Sequence, residues 1–310
     1  MKTRRFQQVN VFTQRPLLGN ALAVVLDGED LTDAQMAAFA RWTQLSETTF
    51  LLPPTDAAAD YRVRIFTPTV ELPFAGHPTI GSCHAWLAAG GRPKHDGEVV
   101  QQCGVGLVRL RRDPAPLSTS VGTGTGTRLA FEAPARRRDG PLDEDTVVRI
   151  ARFLGVPRSD IVDHRHCDNG PAWKAVRLAS AAQVLGLRPQ LGSETDLEVG
   201  VVGAHASAAG RQRAGSLGEG ARDGEGDAPD FEVRAFFPAA GGGLAEDPVT
   251  GSLNAALAQW LIGAGIAPLR YIAAQGAVLG RAGRVHVEQQ GSTVWIGGDC
   301  VGLVSGTLRL

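Results

Sequence analysis

The fold of this chain is decided by two stretches of its sequence: YRVRIFTPTVELPFAGHPTIGS at residues 61–82 and FEVRAFFPAAGGGLAEDPVTGS at residues 231–252. Aligned without a gap at an offset of 170, they share eight of 22 residues. The identities are Val63/Val233, Arg64/Arg234, Phe66/Phe236, Pro68/Pro238, Ala75/Ala245, Pro78/Pro248, Gly81/Gly251 and Ser82/Ser252. In each copy a strand pattern leads through a turn to the start of an apolar helix. The repeat predicts two lobes related by a pseudo-two-fold axis, with a ligand where the two helix starts converge.

The rest of the chain alternates strand patterns with single helices, which predicts an α+β fold of two strand-rich lobes, each wrapped on a helix. We expect an N-terminal lobe at residues 1–127 and a C-terminal lobe at residues 128–297. The strand pattern at about 298–310 is expected to return to the first lobe. Residues 203–230 are rich in Gly, Ala, Arg and acidic residues, which predicts a disordered insertion in the second lobe.

The composition excludes several classes of protein. With 310 residues and 43% hydrophobic residues, the chain can bury a sizeable core. Its formal net charge of −1 gives no electrostatic footprint for nucleic acid or for an anionic membrane. The first residues contain no apolar segment of a signal peptide, and no run of 18 apolar residues occurs. We therefore expect a cytoplasmic protein whose partner is a small molecule.

The four cysteines are widely spaced and form no CxxC pair, so they are expected to be reduced thiols. His164, His166 and Cys167 could form a metal clip, but their alternation is more typical of a strand. Thr32 to Gln35 fits a capping box before a helix. No metal site is predicted.

The two helix starts carry the first candidate residues. Gly76-His77-Pro78 and Glu246-Asp247-Pro248 each place a polar side chain before a proline, and the repeat pairs His77 with Asp247. Both residues could be helix caps. Alternatively, the free N–H groups of both helix starts point at one anion, for which a carboxylate fits best.

Two further segments carry candidates. Glu47 precedes the apolar residues Phe50 to Leu52, and partial desolvation there would suit a carboxyl group to acid/base chemistry. An exposed glutamate at a helix C-terminus is the alternative. Asn169-Gly170-Pro171 is typical of a turn, and a backbone amide offered to a ligand is the functional alternative.

Four segments together resemble the signature set of the phenazine-biosynthesis PhzF-like isomerases. They are SETTFLLPP (46–54), RVRIFTPTVELPFAGHPTIG (62–81), DNGPAW (168–173) and EDPVTGSLNAAL (246–257). The opening VNVFTQRPLLGNALAVV (9–25) and the late QGAVLGRAG (275–283) also fit, so the resemblance spans nearly the whole chain outside the insertion. The chain departs from the pattern at two places: Ala21 stands where the family usually has proline, and Trp173-Lys174 differ from the phenazine enzyme proper.

The resemblance implies the diaminopimelate-epimerase-like fold, in which a sheet or barrel surrounds a central helix in each of two pseudo-symmetric lobes. It implies a site in the cleft between the lobes, no cofactor and a homodimer. By position, Glu47 matches the family's proton-transferring glutamate, and His77 and Asp247 complete the catalytic set. The residues implied to hold the substrate are Asn20, Gly76, Gly170, Thr250, Gly251 and Ser252.

The function expected from this match is isomerisation of a small carboxylic acid by proton transfer through Glu47, as with trans-2,3-dihydro-3-hydroxyanthranilate in the phenazine pathway. Two alternatives stay open. One is a non-catalytic protein that binds small carboxylates. The other is an amino-acid epimerase or racemase of the same fold, which would need a thiol at each helix start. Neither 74–79 nor 244–252 contains cysteine.

Overall fold

The computed structural model describes residues 1–114, 127–190, 196–206, 228–239 and 242–310. The chain divides into two compact units, residues 1–132 with 296–310 and residues 133–295. The boundary predicted from the sequence, 127/128, lies five residues before this division. Within the described residues, no helix is both long and apolar enough to cross a membrane.

The first unit is a sheet that surrounds one helix. Its elements are β1 (Thr3–Val11), β2 (Asn20–Val25), α1 (Asp33–Thr43), β3 (Glu47–Leu52), β4 (Tyr61–Phe66), β5 (Glu71–Leu72), α2 (Gly76–Ala88), β6 (Glu98–Cys103), β7 (Gly106–Pro114), β8 (Thr127–Glu132) and β17 (Cys300–Arg309). Helix α2 packs against β1, β2, β3, β6 and β8 and is buried along most of its length. Strand β17, close to the C-terminus, pairs antiparallel with β1.

The second unit has the same plan. Its elements are β9 (Asp163–Asp168), β10 (Ala172–Arg177), β11 (Val199–Ala204), β12 (Phe231–Pro238), β13 (Leu244–Asp247), β14 (Arg270–Gln275) and β15 (Gly283–Gln290), with helices α3 (Glu144–Leu154), α4 (Ala181–Gly186) and α5 (Gly251–Gly263). Two 3₁₀ turns lie at Arg158–Asp160 and Ala277–Leu279, and β16 (Thr293–Gly298) runs across the division between the units. Helix α5 is almost entirely buried over its first ten residues.

The strand pairings show that the duplication extends beyond the two copies seen in the sequence. In the first unit β1–β2 is antiparallel, β2–β3 parallel, β3–β4 and β4–β5 antiparallel, β4–β6 parallel and β6–β7 antiparallel. The series β9–β10, β10–β11, β11–β12, β12–β13, β12–β14 and β14–β15 repeats these directions in the same order. Each unit is therefore one copy of the same sheet arrangement with a central helix.

The predicted insertion at 203–230 begins later than expected. Gly203 and Ala204 belong to β11, where they pair with Glu232 and Phe231. Residues 207–227, on which most of that prediction falls, lie outside the described residues.

Candidate active site

Three of the predicted site residues lie together in the first unit. Asn20 and Glu47 are the first residues of the parallel strands β2 and β3, so both stand at the same edge of the sheet. His77 is the second residue of α2. Its Nδ1 atom lies 3.3 Å from Nδ2 of Asn20, and its Nε2 atom lies 3.4 Å from Oε2 of Glu47. The imidazole ring thus bridges the two strand starts.

A glycine one turn further along α2 makes this approach possible. A Cβ atom at Gly81 would lie 2.6 Å from Cδ2 of Leu22 and 2.9 Å from Cγ2 of Val11. Because glycine has no Cβ, α2 packs closer to β1 and β2 than any other residue would allow. Residues four apart share a helix face, so the same contact brings His77 against the start of β2.

His77 is a neutral imidazole at physiological pH. The side chain is buried, and burial lowers its pKa to about 3 against a smaller opposing effect of a backbone hydrogen bond with Ala21. Nδ1 of His77 lies within hydrogen-bond distance of Asn20 Nδ2, and the ring also makes the hydrogen bond with the Ala21 backbone. The Nε2 atom lies 3.4 Å from the Glu47 carboxylate, whose side chain is 15% exposed. The predicted desolvation of Glu47 is thus seen as partial burial.

The helix starts differ from the caps that the sequence suggested. The N-cap of α2 is Ala75, and His77 lies inside the first turn. The N-cap of α5 is Thr250, and Asp247 is the last residue of β13. Neither N-cap side chain accepts a capping hydrogen bond from its helix, and neither first turn contains an acidic residue. The interpretation of His77 and Asp247 as caps is therefore wrong.

The pairing of His77 with Asp247 by the repeat is also wrong. Strands β4 and β12 start 170 residues apart, but α2 and α5 start 175 residues apart, at Gly76 and Gly251. The second copy uses a longer strand pair before its helix, which displaces the helix by five positions. Gly76-His77 is therefore equivalent to Gly251-Ser252.

In the second unit, Asp247 and Thr250 belong to one hydrogen-bond network. The hydroxyl of Thr250 donates to Oδ2 of Asp247 at 2.6 Å. Gln275, the last residue of β14, ties the loop down: its Nε2 donates to the Asp247 carbonyl and to Thr250 Oγ1, and its Oε1 accepts from the Thr250 N–H and from Asn254 Nδ2. The network fixes both the path of the loop and the rotamer of the Asp247 carboxylate.

Ser252 is held by the segment between β9 and β10. Its Oγ accepts a hydrogen bond of 3.1 Å from Trp173 Nε1, and its carbonyl accepts one of 2.8 Å from Asn169 Nδ2. Gly170 has φ +139°, and its N–H donates to Oδ1 of Asp168, so Asn169-Gly170 forms the predicted turn. The Trp173 bond occupies a lone pair of Ser252 Oγ and leaves the hydroxyl proton to donate elsewhere.

The sequence did not single out Gln275, Asn254 or Trp173 as site residues. All three stand inside segments that carry the family resemblance, namely QGAVLGRAG, EDPVTGSLNAAL and DNGPAW, and this is the signal that marks them. Among the described residues, no group of three or more His, Cys, Asp or Glu side chains is arranged to hold a metal ion. His164, His166 and Cys167 all lie on β9, as the strand interpretation predicts.

The family model of the phenazine biosynthesis-like proteins, PhzC-PhzF, matches residues 9–306. The chain belongs to the PhzC-PhzF family. It is 32% identical to antisense-enhancing sequence 1 of Schizosaccharomyces pombe over 99% of both chains, and 27% identical to an uncharacterized isomerase of Pasteurella multocida over 98% of this chain and 93% of the relative.

A third relative carries a named reaction. The trans-2,3-dihydro-3-hydroxyanthranilate isomerase of Pseudomonas fluorescens is 34% identical over 52% of this chain and 60% of its own length. With its family and its relatives taken together, the chain is a PhzF-family isomerase.

Solved structures confirm the fold class. A predicted epimerase from Pseudomonas aeruginosa superposes with a TM-score of 0.72 at 26% identity and covers 99% of both chains. A probable proline racemase from Agrobacterium radiobacter has a TM-score of 0.57 at 13% identity over 99% of this chain and 93% of its own. The predicted diaminopimelate-epimerase-like fold, with two similar lobes around central helices, is therefore confirmed.

Proposed function

We propose that this isomerase moves a proton between two carbon atoms of a small unsaturated carboxylic acid, with Glu47 as the group that takes up and returns the proton. The observation that carries the proposal is the position of the Glu47 carboxylate. It stands at the end of a sheet, largely shielded from water, 3.4 Å from a neutral imidazole. Such a site suits general acid/base catalysis.

His77 holds the Glu47 carboxylate in this arrangement without joining it in an ion pair. Its Nε2 atom lies 3.4 Å from Oε2 of Glu47, while Asn20 contacts the other ring nitrogen. A protonated imidazole at this distance would stabilise the carboxylate as an anion and disfavour proton uptake. Burial prevents that protonation at neutral pH, so His77 orients Glu47 and leaves it able to accept a proton.

The substrate carboxylate is proposed to bind at helix N-termini. The first turns of α2 and α5 offer the backbone N–H groups of Gly76 and Gly251 with no side-chain cap, and the positive end of the helix dipole favours an anion there. In α5 the Ser252 hydroxyl adds a donor whose direction Trp173 sets. The Thr250 hydroxyl donates a hydrogen bond to Asp247. This bond orients the Asp247 carboxylate, which we propose contacts a polar group of the substrate.

We propose trans-2,3-dihydro-3-hydroxyanthranilate, or a close relative of it, as the substrate. The support is the 34% identity to the Pseudomonas fluorescens enzyme of that name over 52% of this chain, together with the resemblance to the family of the segments that contain Glu47, His77 and Asp247. A proton shift leaves the oxidation state of the substrate unchanged, so acid/base groups can carry it, and we propose that no cofactor takes part. That the candidate residues of the first unit and those of the second unit act on one substrate stays a prediction, as does the role of Gly170.

The proposal is tested by incubating the purified chain with trans-2,3-dihydro-3-hydroxyanthranilate and following the substrate by proton NMR in deuterated water. We expect an isomer to form with the protein and not with buffer. A parallel sample alkylated with iodoacetamide should keep its activity, whereas loss of activity that substrate prevents would indicate a cysteine-based epimerase. Tight binding of the compound with neither isomerisation nor exchange would contradict catalysis and favour a carboxylate-binding protein.

A further inference from the structure

A cavity of about 470 Å³ opens on the first unit where strand β4 changes its pairing partner. The first two residues of β4 pair with β6, and its last two pair with β5. Val63 and Arg64, between these two pairings, line the cavity together with residues at the ends of β5 and β6. The volume lies in the range of small-molecule sites. None of the candidate residues of the proposed reaction lines this cavity.

One end of the cavity is closed by a contact between two backbone segments. Gly104 follows β6 and Pro73 follows β5, and a Cβ atom at position 104 would lie only 2.7 Å from Pro73 Cα. Backbone atoms cannot move aside as the far end of a flexible side chain can. The path of the chain itself therefore defines the shape of this wall.

Arg62 reaches the cavity without a partner of its own. Its side chain is partly buried, and its Nε atom is shielded from water with no hydrogen bond. Within the part of the chain that the structure describes, no residue accepts a hydrogen bond from its guanidinium or forms an ion pair with it. A guanidinium keeps its charge at neutral pH, and an unbonded donor shielded from water costs free energy. One positive charge is thus left unsatisfied at the cavity.

The other polar groups of the cavity wall are already bonded. Arg64 donates two hydrogen bonds, of 2.8 and 2.7 Å, to the carboxylate of Glu71 and a third, of 2.6 Å, to Asp33. Gln102, which lies beside Arg62 in the pairing of β4 with β6, bonds through its amide to the loop after β3. The acidic residue of the wall is therefore engaged by Arg64 and does not neutralise Arg62.

The repeat provides an internal comparison for the two arginines. Arg64 and Arg234 are equivalent: each donates two hydrogen bonds to a glutamate of the following strand and lies 5.1 Å from the centre of a phenylalanine ring. The position of Arg62 is instead taken by Glu232, whose Oε2 lies 3.1 Å from Nε2 of His205. The packing that the two units share therefore accounts for Arg64 and not for Arg62.

We propose that this cavity binds a small organic acid whose carboxylate pairs with Arg62. A planar guanidinium can donate two parallel hydrogen bonds to a carboxylate. Leu72 and Pro73 offer apolar contact for the carbon skeleton. A phosphate group carries more negative charge than one unpaired arginine neutralises, and the Glu71 carboxylate in the same wall would repel the excess. A ligand with a single carboxylate is therefore the matched one.

The experiment follows the Nε–H signal of Arg62 by proton–nitrogen correlation NMR of the full chain during titration with sodium benzoate. The signal is identified as the one that is missing in Arg62→Lys and present in Arg41→Gln, which removes an exposed arginine of the same unit. We expect a saturable shift of this signal with benzoate and none with benzamide, the neutral analogue. Benzoate bound at the helix N-termini of the proposed active site would shift other signals, so the two proposals fail separately.

The affinity is compared in Arg62→Gln and Arg41→Gln through the backbone N–H signal of Gly104. Loss of the charge-assisted pair should weaken benzoate binding about tenfold or more in Arg62→Gln and leave it unchanged in Arg41→Gln, with the fold of both checked by circular dichroism. The proposal would be overturned by an Arg62 signal that benzoate does not move, by equal affinities in wild type and Arg62→Gln, or by tighter binding of inorganic phosphate than of benzoate.

Discussion

The burial of His77 predicts a measurable dependence of stability on pH. The native pKa is about 3, against about 6.5 in the unfolded chain. Between these values the unfolded state binds a proton that the native state does not, so stability rises with pH in this window. Above pH 6.5, His77 is neutral in both states and burial of its ring costs no stability through protonation. As the pH falls from 6.5 towards 3, the free energy of unfolding decreases progressively. Because pH 5.0 lies about 1.5 units below the pKa of the unfolded chain, the free energy of unfolding is about 2 kcal/mol lower there than at neutral pH.

Substitution of His77 by glutamine removes this titration while keeping a polar, uncharged side chain at the site. The assay is urea denaturation of wild type and His77→Gln at pH 7.5 and pH 5.0. We expect the wild type to lose about 2 kcal/mol more than the variant between these two pH values. His95→Gln, which removes an exposed histidine, serves as the control and should follow the wild type. Equal losses in wild type and His77→Gln would refute a buried, neutral His77.

Three further substitutions test the contacts that hold the site residues of the second unit in place. Gln275→Leu deletes four hydrogen bonds, so we expect a loss of about 2–4 kcal/mol in urea denaturation together with reduced turnover; unchanged stability would contradict the network. Gly200→Ala directs a methyl group into the Leu253 side chain and should cost about 1–3 kcal/mol. Adding Leu253→Ala relieves the overlap, so strict additivity in the double variant would be the contrary result. Trp173→Phe removes the N–H bound by Ser252 and should cost about 1 kcal/mol while raising KM more than it lowers kcat, as measured by steady-state kinetics.

Much of the fold could be predicted because local signals and the repeat agree. Thr32 and Gln35 form the capping box at the start of α1, and Asn169-Gly170 forms a turn between two strands. The strand copies at 61–66 and 231–236 occupy equivalent places in the two units. Each of these features depends on neighbouring residues in the chain, so the sequence is sufficient to find it.

The features that were missed depend on contacts distant in sequence or on the length of a loop. The gapless alignment could not show that α5 starts five positions later than α2, because Pro248 and Gly251 happen to match residues of the first copy. Gln275 acts on Asp247 from 28 residues away. Gly81 matters only because Leu22 packs against it. No periodicity or motif length encodes such contacts.

The proposed isomerisation depends most directly on proton transfer by Glu47. The decisive measurement compares wild type, Glu47→Gln and, as a control for loss of an exposed carboxylate, Glu29→Gln, each incubated with trans-2,3-dihydro-3-hydroxyanthranilate in deuterated water and followed by proton NMR. We predict isomerisation by the wild type and Glu29→Gln, with a loss of about 10²-fold or more in Glu47→Gln, since glutamine cannot accept or return the proton. Turnover by Glu47→Gln at the wild-type rate would contradict the assignment of Glu47 as the proton-transferring residue.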